Sequence, residues 1–202
     1  MRGPERGAAA DVLVVGLGNP GAEFERTRHN LGADTLRLVA QRLGRDLRAE
    51  KGTRSVVAQA DAAGRRVVLA VPMTYMNESG LAVSALVRRF RLASIDRLVV
   101  VHDELDLPSG RVKVKVGGGT AGNNGLKSVH AHLHDPGYVR VRIGIGKPPG
   151  RESGADYVLK RPGRAERETL DVAVHEAADA VEMIVSDGPD AAMARFNADA
   201  EP

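Results

Sequence analysis

His29 is the residue with the most immediate chemical use. It stands in Thr27-Arg28-His29-Asn30, just ahead of a segment with helical periodicity, and an imidazole titrates closer to neutrality than any other side chain. A helix N-terminus disfavours a cation, so the position predicts a neutral ring, the form in which imidazole accepts a proton. Asp103 is its candidate partner. It follows the apolar run Leu98-Val99-Val100-Val101 within His102-Asp103-Glu104. A carboxylate against the ring would fix its tautomer and stabilise the imidazolium formed when a water gives up its proton. A histidine taken singly is more often structural than catalytic, and it is the helix-start position and the pairing that shift that balance. The chain has no cysteine, which excludes thiol catalysis, disulfides and thiolate metal sites. A nucleophile is then water, hydroxyl or carboxylate.

Three asparagines add neutral polar groups. Asn19, in Gly18-Asn19-Pro20-Gly21, offers a donor and an acceptor on a turn stiffened by Pro20, either to hold a water or substrate carbonyl or simply to make the turn. Asn77 leads into a helix and is either a substrate contact or an N-cap. Asn124 falls in the glycine-rich run 117–125, read as open loop whose N–H groups can meet a carbonyl or phosphate. Amides of this kind suit a peptide-like ligand. Among His102, His130, His132 and His134, positions 130 and 134 are one helical turn apart. No acidic residue joins them in a ligand pattern, so no metal site is expected.

These residues need elements to hold them. Residues 11–17 read as a buried strand, and 30–43 as a helix with Leu36, Val39, Ala40 and Leu43 on one face. Two β-branched runs, 55–60 and 65–71, suggest a hairpin, followed by a helix over 80–90. The run 98–101 suits a strand covered on both faces, delivering Asp103 at its C-terminal end. Residues 112–116 and 139–145 alternate apolar with basic positions, Lys113 and Lys115 on one strand, Arg140 and Arg142 on the other. A long helix over 165–186 and a short one over 190–197 close the chain. The pattern predicts an α/β fold, one domain over 11–202 with a mixed, mostly parallel sheet flanked by helices on both faces. Ligands bind beyond the carboxyl ends of such strands.

Gly16-Leu17-Gly18-Asn19-Pro20-Gly21 also fits the G-x-G-x-x-G of dinucleotide sites. In that motif the helix begins within the glycines, whereas here polar residues 23–30 intervene, and no second strand with a terminal acid follows at the right distance. The glycines read better as serving a turn.

Charge is nearly balanced, 29 basic against 26 acidic side chains for a net of +3, so the whole-molecule field is no argument for nucleic acid. Its distribution is more informative. Lys and Arg gather between Arg111 and Arg142, where Asp135 is the one acidic residue, leaving Lys113, Lys115 and Arg142 as either a solvated edge or a phosphate track. Residues 1–10, three of them charged, contain no apolar stretch and read as a disordered extension rather than a signal. No apolar run approaches the ~20 residues that span a bilayer. Cysteine-free composition fits a cytosolic setting.

In order and spacing, Gly16-Leu17-Gly18-Asn19-Pro20-Gly21, Thr27-Arg28-His29-Asn30, Thr74-Tyr75-Met76-Asn77, His102-Asp103-Glu104-Leu105-Asp106-Leu107-Pro108, Gly122-Asn123-Asn124-Gly125-Leu126-Lys127 and Arg142-Ile143-Gly144-Ile145-Gly146 resemble the bacterial peptidyl-tRNA hydrolases. The resemblance spans about 12–197. It implies a monomeric cytoplasmic α/β hydrolase, without cofactor or metal, that frees tRNA from prematurely released peptidyl-tRNA. It also implies His29 as base, Asp103 as its orienting partner, and Asn19 as the residue favouring N-blocked substrates. Asn77 and Asn124 would surround the peptide, Phe24 and Tyr75 would line the tRNA end, and Lys113, Lys115 and Arg142 would meet phosphates. Two positions depart from the family: Asn123, where His is usual, and Phe24, where Tyr is common. Asn123 cannot take up a proton, and Phe24 keeps a stacking face without the hydroxyl. The rival reading is an RNA-binding module of the same fold that has lost hydrolysis.

Overall fold

The computed structural model describes residues 9–198 of the chain. Seven strands form one sheet, ordered β2-β3-β4-β1-β5-β7-β6. They are β1 (Val12–Gly16), β2 (Arg48–Glu50), β3 (Ser55–Ala62), β4 (Arg65–Pro72), β5 (Leu98–Glu104), β6 (Val112–Val116) and β7 (Val139–Gly144). Strands β4, β1, β5 and β7 are parallel neighbours, and only β3 and β6 run against the rest. All five residues of β1 and all seven of β5 are buried, as their unbroken apolar runs require of central parallel strands.

Among the described residues there are six α-helices: α1 (Leu31–Arg42), α2 (Ser79–Arg89), α3 (Asn124–Leu133), α4 (Gly154–Val158), α5 (Arg164–Asp187) and α6 (Pro189–Phe196). Val14, Val101 and Val141 pack with α1, α5 and α6 on one face, while Leu13, Val15 and Val100 pack with α2 and α3 on the other. A side chain such as Leu36, wholly buried in the first layer, contributes ~2 kcal/mol by leaving water. The chain leaves β1 through α1 on one face and reaches β5 from β4 through α2 on the other. This reversal opens a crevice at the carboxyl ends of β1 and β5, where Asn19 and Asp103 stand.

Helix α1 lies unusually close to that crevice. A Cβ added to Gly32 would stand 2.2 Å from the Val101 carbonyl, and one on Gly16 would stand 2.2 Å from the Gly32 carbonyl. Neither approach leaves room for a side chain. The Ala33 N–H donates to the Leu17 carbonyl at 2.9 Å and the Leu17 N–H to the Val101 carbonyl at 3.0 Å, so helix and both strands are tied at one point. Gly16 thus serves close helix–strand packing rather than the turn expected of the motif's glycines.

Some elements differ from expectation. The glycine run predicts loop through 125, yet α3 begins at Asn124, because the Asn123 side chain accepts the Leu126 N–H at 3.1 Å and caps it. Strand β2 and helix α4, three and five residues long, are too short to leave a periodic signature. Of the extension expected over 1–10, residues 1–8 lie outside the described residues. Ala10 is buried and donates its N–H to the Phe90 carbonyl at 2.9 Å, so the ordered chain starts earlier than 11.

Candidate active site

His29 sits in a single 3₁₀ turn, Arg28–Asn30, that leads into α1. Its Nδ1 lies 2.8 Å from Asp103 Oδ1, and both residues are buried, at 6% and 3% exposure. An ionised carboxylate only accepts, so Nδ1 carries the hydrogen and donates, leaving Nε2 as the basic nitrogen. Burial alone would lower the His29 pKa, but the charge and hydrogen bond of Asp103 outweigh it, and the net shift is upward from 6.5. This corrects the expectation that a helix N-terminus holds the ring neutral: His29 precedes the α-helix, and the nearest strong field is the carboxylate. Burial pushes Asp103 up, yet His29, by charge and hydrogen bond, holds it below its ordinary range, so it remains ionised.

Support for Asp103 comes from both sides. Asn123 Nδ2 donates to Asp103 Oδ1 at 3.3 Å while Asn123 Oδ1 caps α3. The asparagine thus joins helix start to carboxylate without taking a proton. On the opposite sheet face, His102 Nδ1 donates to the Asp103 carbonyl at 2.7 Å. Burial depresses the pKa of His102, which keeps that ring neutral and makes it a backbone prop rather than a second base.

A cavity of about 250 Å³ is lined by His29, Asp103, Glu104, Leu105, Ala121–Asn124, Gly154, Ala155 and Val158. No lining residue carries a hydroxyl or thiol. Asn124 therefore lines the same cavity as His29 and Asp103. Asn19, Phe24, Tyr75 and Asn77 form a neighbouring group instead. Asn19 Oδ1 accepts the Met76 N–H at 2.7 Å, and the Phe24 and Tyr75 rings meet edge to face at 6.3 Å. Asn77 is exposed in the 3₁₀ turn Met76–Glu78 and does not cap α2, whose N-cap is Glu78. Because its oxygen is engaged, Asn19 offers its NH₂ as a donor, rather than both groups. The two regions are joined by Asn30, whose side chain accepts the Asn19 N–H at 2.9 Å and donates to the Asn19 carbonyl at 3.0 Å.

Two contributors escaped the sequence reading. Arg28 bonds Glu166 through Nε at 2.7 Å and Nη2 at 2.6 Å, and its Nη1 donates to the Tyr157 and Lys160 carbonyls. This ties the His29 turn to α4, which forms one cavity wall, and to the start of α5. The partner is 138 residues away, so only the presence of Arg28 in the motif could have hinted at it. Asn30 is the other, its clasp on Asn19 hidden by an ordinary helix-start position.

The basic strands divide unevenly. Lys113 faces Arg142 and Lys115 faces Arg140 across the β6–β7 pair. Arg142 Nε lies 3.1 Å from the buried Glu104 carboxylate, which neutralises much of its charge. Lys115 is exposed and Lys113 half-buried. The histidines of α3 serve its C-terminal turns: His132 Nδ1 donates to the Ser128 carbonyl at 2.8 Å, and His134 is the left-handed cap.

A buried imidazole held by a carboxylate, in a cavity without hydroxyl or thiol at the carboxyl ends of parallel strands, is an arrangement able to activate water for hydrolysis. The family profile described as Peptidyl-tRNA hydrolase matches residues 13–202. Peptidyl-tRNA hydrolases of Nocardia farcinica and Kineococcus radiotolerans are 49% and 50% identical, over 95% and 93% of this chain and 97% and 98% of theirs. The crystal structure of peptidyl-tRNA hydrolase from Acinetobacter baumannii is 34% identical, with a TM-score of 0.87 over 97% of this chain and 98% of that one. The chain belongs to the peptidyl-tRNA hydrolase family, and its activity is the hydrolysis of peptidyl-tRNA.

Proposed function

We propose that His29 Nε2 takes a proton from a water molecule, which attacks the carbonyl carbon of the ester joining peptide to terminal ribose. The tetrahedral oxyanion is met by the Asn19 NH₂ and by first-turn amides of α3 at Asn124 and Gly125, which have no intrahelical carbonyl to bond. Collapse breaks the bond to the ribose oxygen, which recovers the proton from His29, leaving free tRNA and a peptide carboxylic acid that loses its proton to solvent. Asp103 steadies the imidazolium between these two transfers. The observation that carries this reading is the 2.8 Å His29–Asp103 contact in a cavity whose lining has no hydroxyl or thiol.

Around this centre, Asn77 and Asn124 contact the peptide, and Phe24 and Tyr75 take the terminal nucleotide against their rings. Lys113 and Lys115 track phosphates, with Arg142 contributing less because Glu104 holds it. The enzyme works as a monomer in the cytoplasm and recycles tRNA released before translation is complete. Among the described residues no helix is long and apolar enough to cross a membrane.

The test is release of tRNA from N-blocked aminoacyl-tRNA by His29→Ala. A positioned base supplies ~10²- to 10⁴-fold, so kcat should fall by that amount while substrate binding persists. Near-normal turnover would falsify the assignment.

A further inference from the structure

Arg140, in the middle of β7, is only 2% exposed, yet among the described residues no carboxylate pairs with it. Its guanidinium has other partners. Nη1 donates to the Gly119 carbonyl at 2.6 Å, and Nη2 donates to the Gly117 carbonyl. The loop is wrapped directly on the cation: a Cβ at Gly118, whose φ is +99°, would stand 2.6 Å from Arg140 Nη2 and 3.0 Å from Lys115 Nζ. Burying an arginine without a carboxylate is costly, and an apolar side chain would fill the same space more cheaply. What the guanidinium supplies, and an apolar residue could not, is a fixed pair of donors for two loop carbonyls.

That loop has little else to hold it. Gly117, Gly118 and Gly122 all have positive φ, and a glycine-rich segment has many competing conformations. Its far end forms the cavity rim at Ala121–Asn124. Between them, the Asn123 N–H donates to the Thr120 carbonyl at 2.9 Å. The loop is therefore held at its start by Arg140 and by the Gly117 N–H, which donates to the Tyr138 carbonyl at 3.0 Å, and at its end by the Asn123 cap and its contact with Asp103.

We propose that Arg140 is a positioning residue for substrate binding, clamping the glycine loop so that its Ala121–Asn124 rim keeps the shape that receives the peptide. This rests on the reading of the cavity as the peptide site. Arg140 faces the side of the sheet opposite Asp103, so the clamp governs the rim and not the basicity of His29.

Arg140→Met keeps an unbranched stem and removes the donors. Amide hydrogen exchange over 118–123 should accelerate at least ~10-fold while β5 and β7 stay protected. KM for N-blocked aminoacyl-tRNA should rise ~10-fold, on the scale of a lost charge-assisted hydrogen bond, with the pH midpoint of kcat unchanged. Arg140→Lys, which retains charge but cannot span both carbonyls, should recover part of the KM. Unchanged loop exchange in folded Arg140→Met overturns the clamp. Faster exchange with unchanged KM overturns its role in binding, and neither result bears on His29, which is judged by His29→Ala turnover. If Arg140→Met does not fold, Gly118→Ala displaces the loop with Arg140 intact and must raise KM similarly; an unaltered KM there also overturns the proposal.

Discussion

Two opposed effects set the basicity of His29. Burial disfavours the imidazolium, while the carboxylate of Asp103 favours it, and the second prevails. A base acts in its unprotonated form, so kcat/KM should fall as pH drops through a midpoint above 6.5. In Asp103→Asn the raising effects go and burial remains, so the midpoint should move to lower pH, with a loss of turnover smaller than that of His29→Ala. A pH profile identical to that of the native enzyme would remove Asp103 from the mechanism. Asn19 allows a cleaner separation of roles. Asn19→Asp keeps the acceptor that holds the Met76 N–H but discards the NH₂, so kcat should fall ~10²-fold, as for an oxyanion donor, with thermal stability little altered. Native-like turnover in that variant would assign Asn19 to structure alone. These residues were visible in the sequence because their types carry chemistry; the clasp of Asn30 on Asn19 was not, since a helix-start asparagine looks the same whichever neighbour it bonds.

Elements deliver these side chains to one place through close packing. With 2.2 Å to the Val101 carbonyl, Gly32 leaves no space for a methyl group, and Gly32→Ala should destabilise the fold by ~3 kcal/mol, measurable by urea denaturation. A change below ~0.5 kcal/mol, the scale of an ordinary surface substitution, would show that α1 can shift without cost. Helix α3 depends on its cap, and Asn123→Ala should lose ~1 kcal/mol together with the amide that approaches Asp103. Asn123→His, which restores the residue usual in the family, should also weaken the cap; equal or greater stability by denaturation would contradict the capping role. Central strands and the long helices were legible because their apolar periods are long. The start of α3 was not, because glycines on both sides of Asn123 resemble loop until a side-chain cap is seen.

The whole molecule is close to neutral, at +3, so attraction to tRNA has to come from where charge sits rather than how much there is. On the proposed reading, exposed Lys115 beside the glycine loop meets a phosphate. Affinity for tRNA should decrease as salt increases, and Lys115→Gln should reduce the logarithmic slope by ~0.9 if one phosphate contact is lost. A slope that does not change would retire the phosphate track at this position. By itself, the sequence determined the central strands and major helices, the order of the motifs, a candidate base and carboxylate, and through the resemblance of those motifs the family. Only the tertiary structure decided that Asp103 meets His29 at 2.8 Å, that Arg142 is held by Glu104, and that Arg28 and Arg140 bind segments distant in sequence. The physical reason is common to all of these: a pKa or an ion pair depends on what burial and folding bring within about 4 Å, and partners tens of residues apart leave no mark on local pattern.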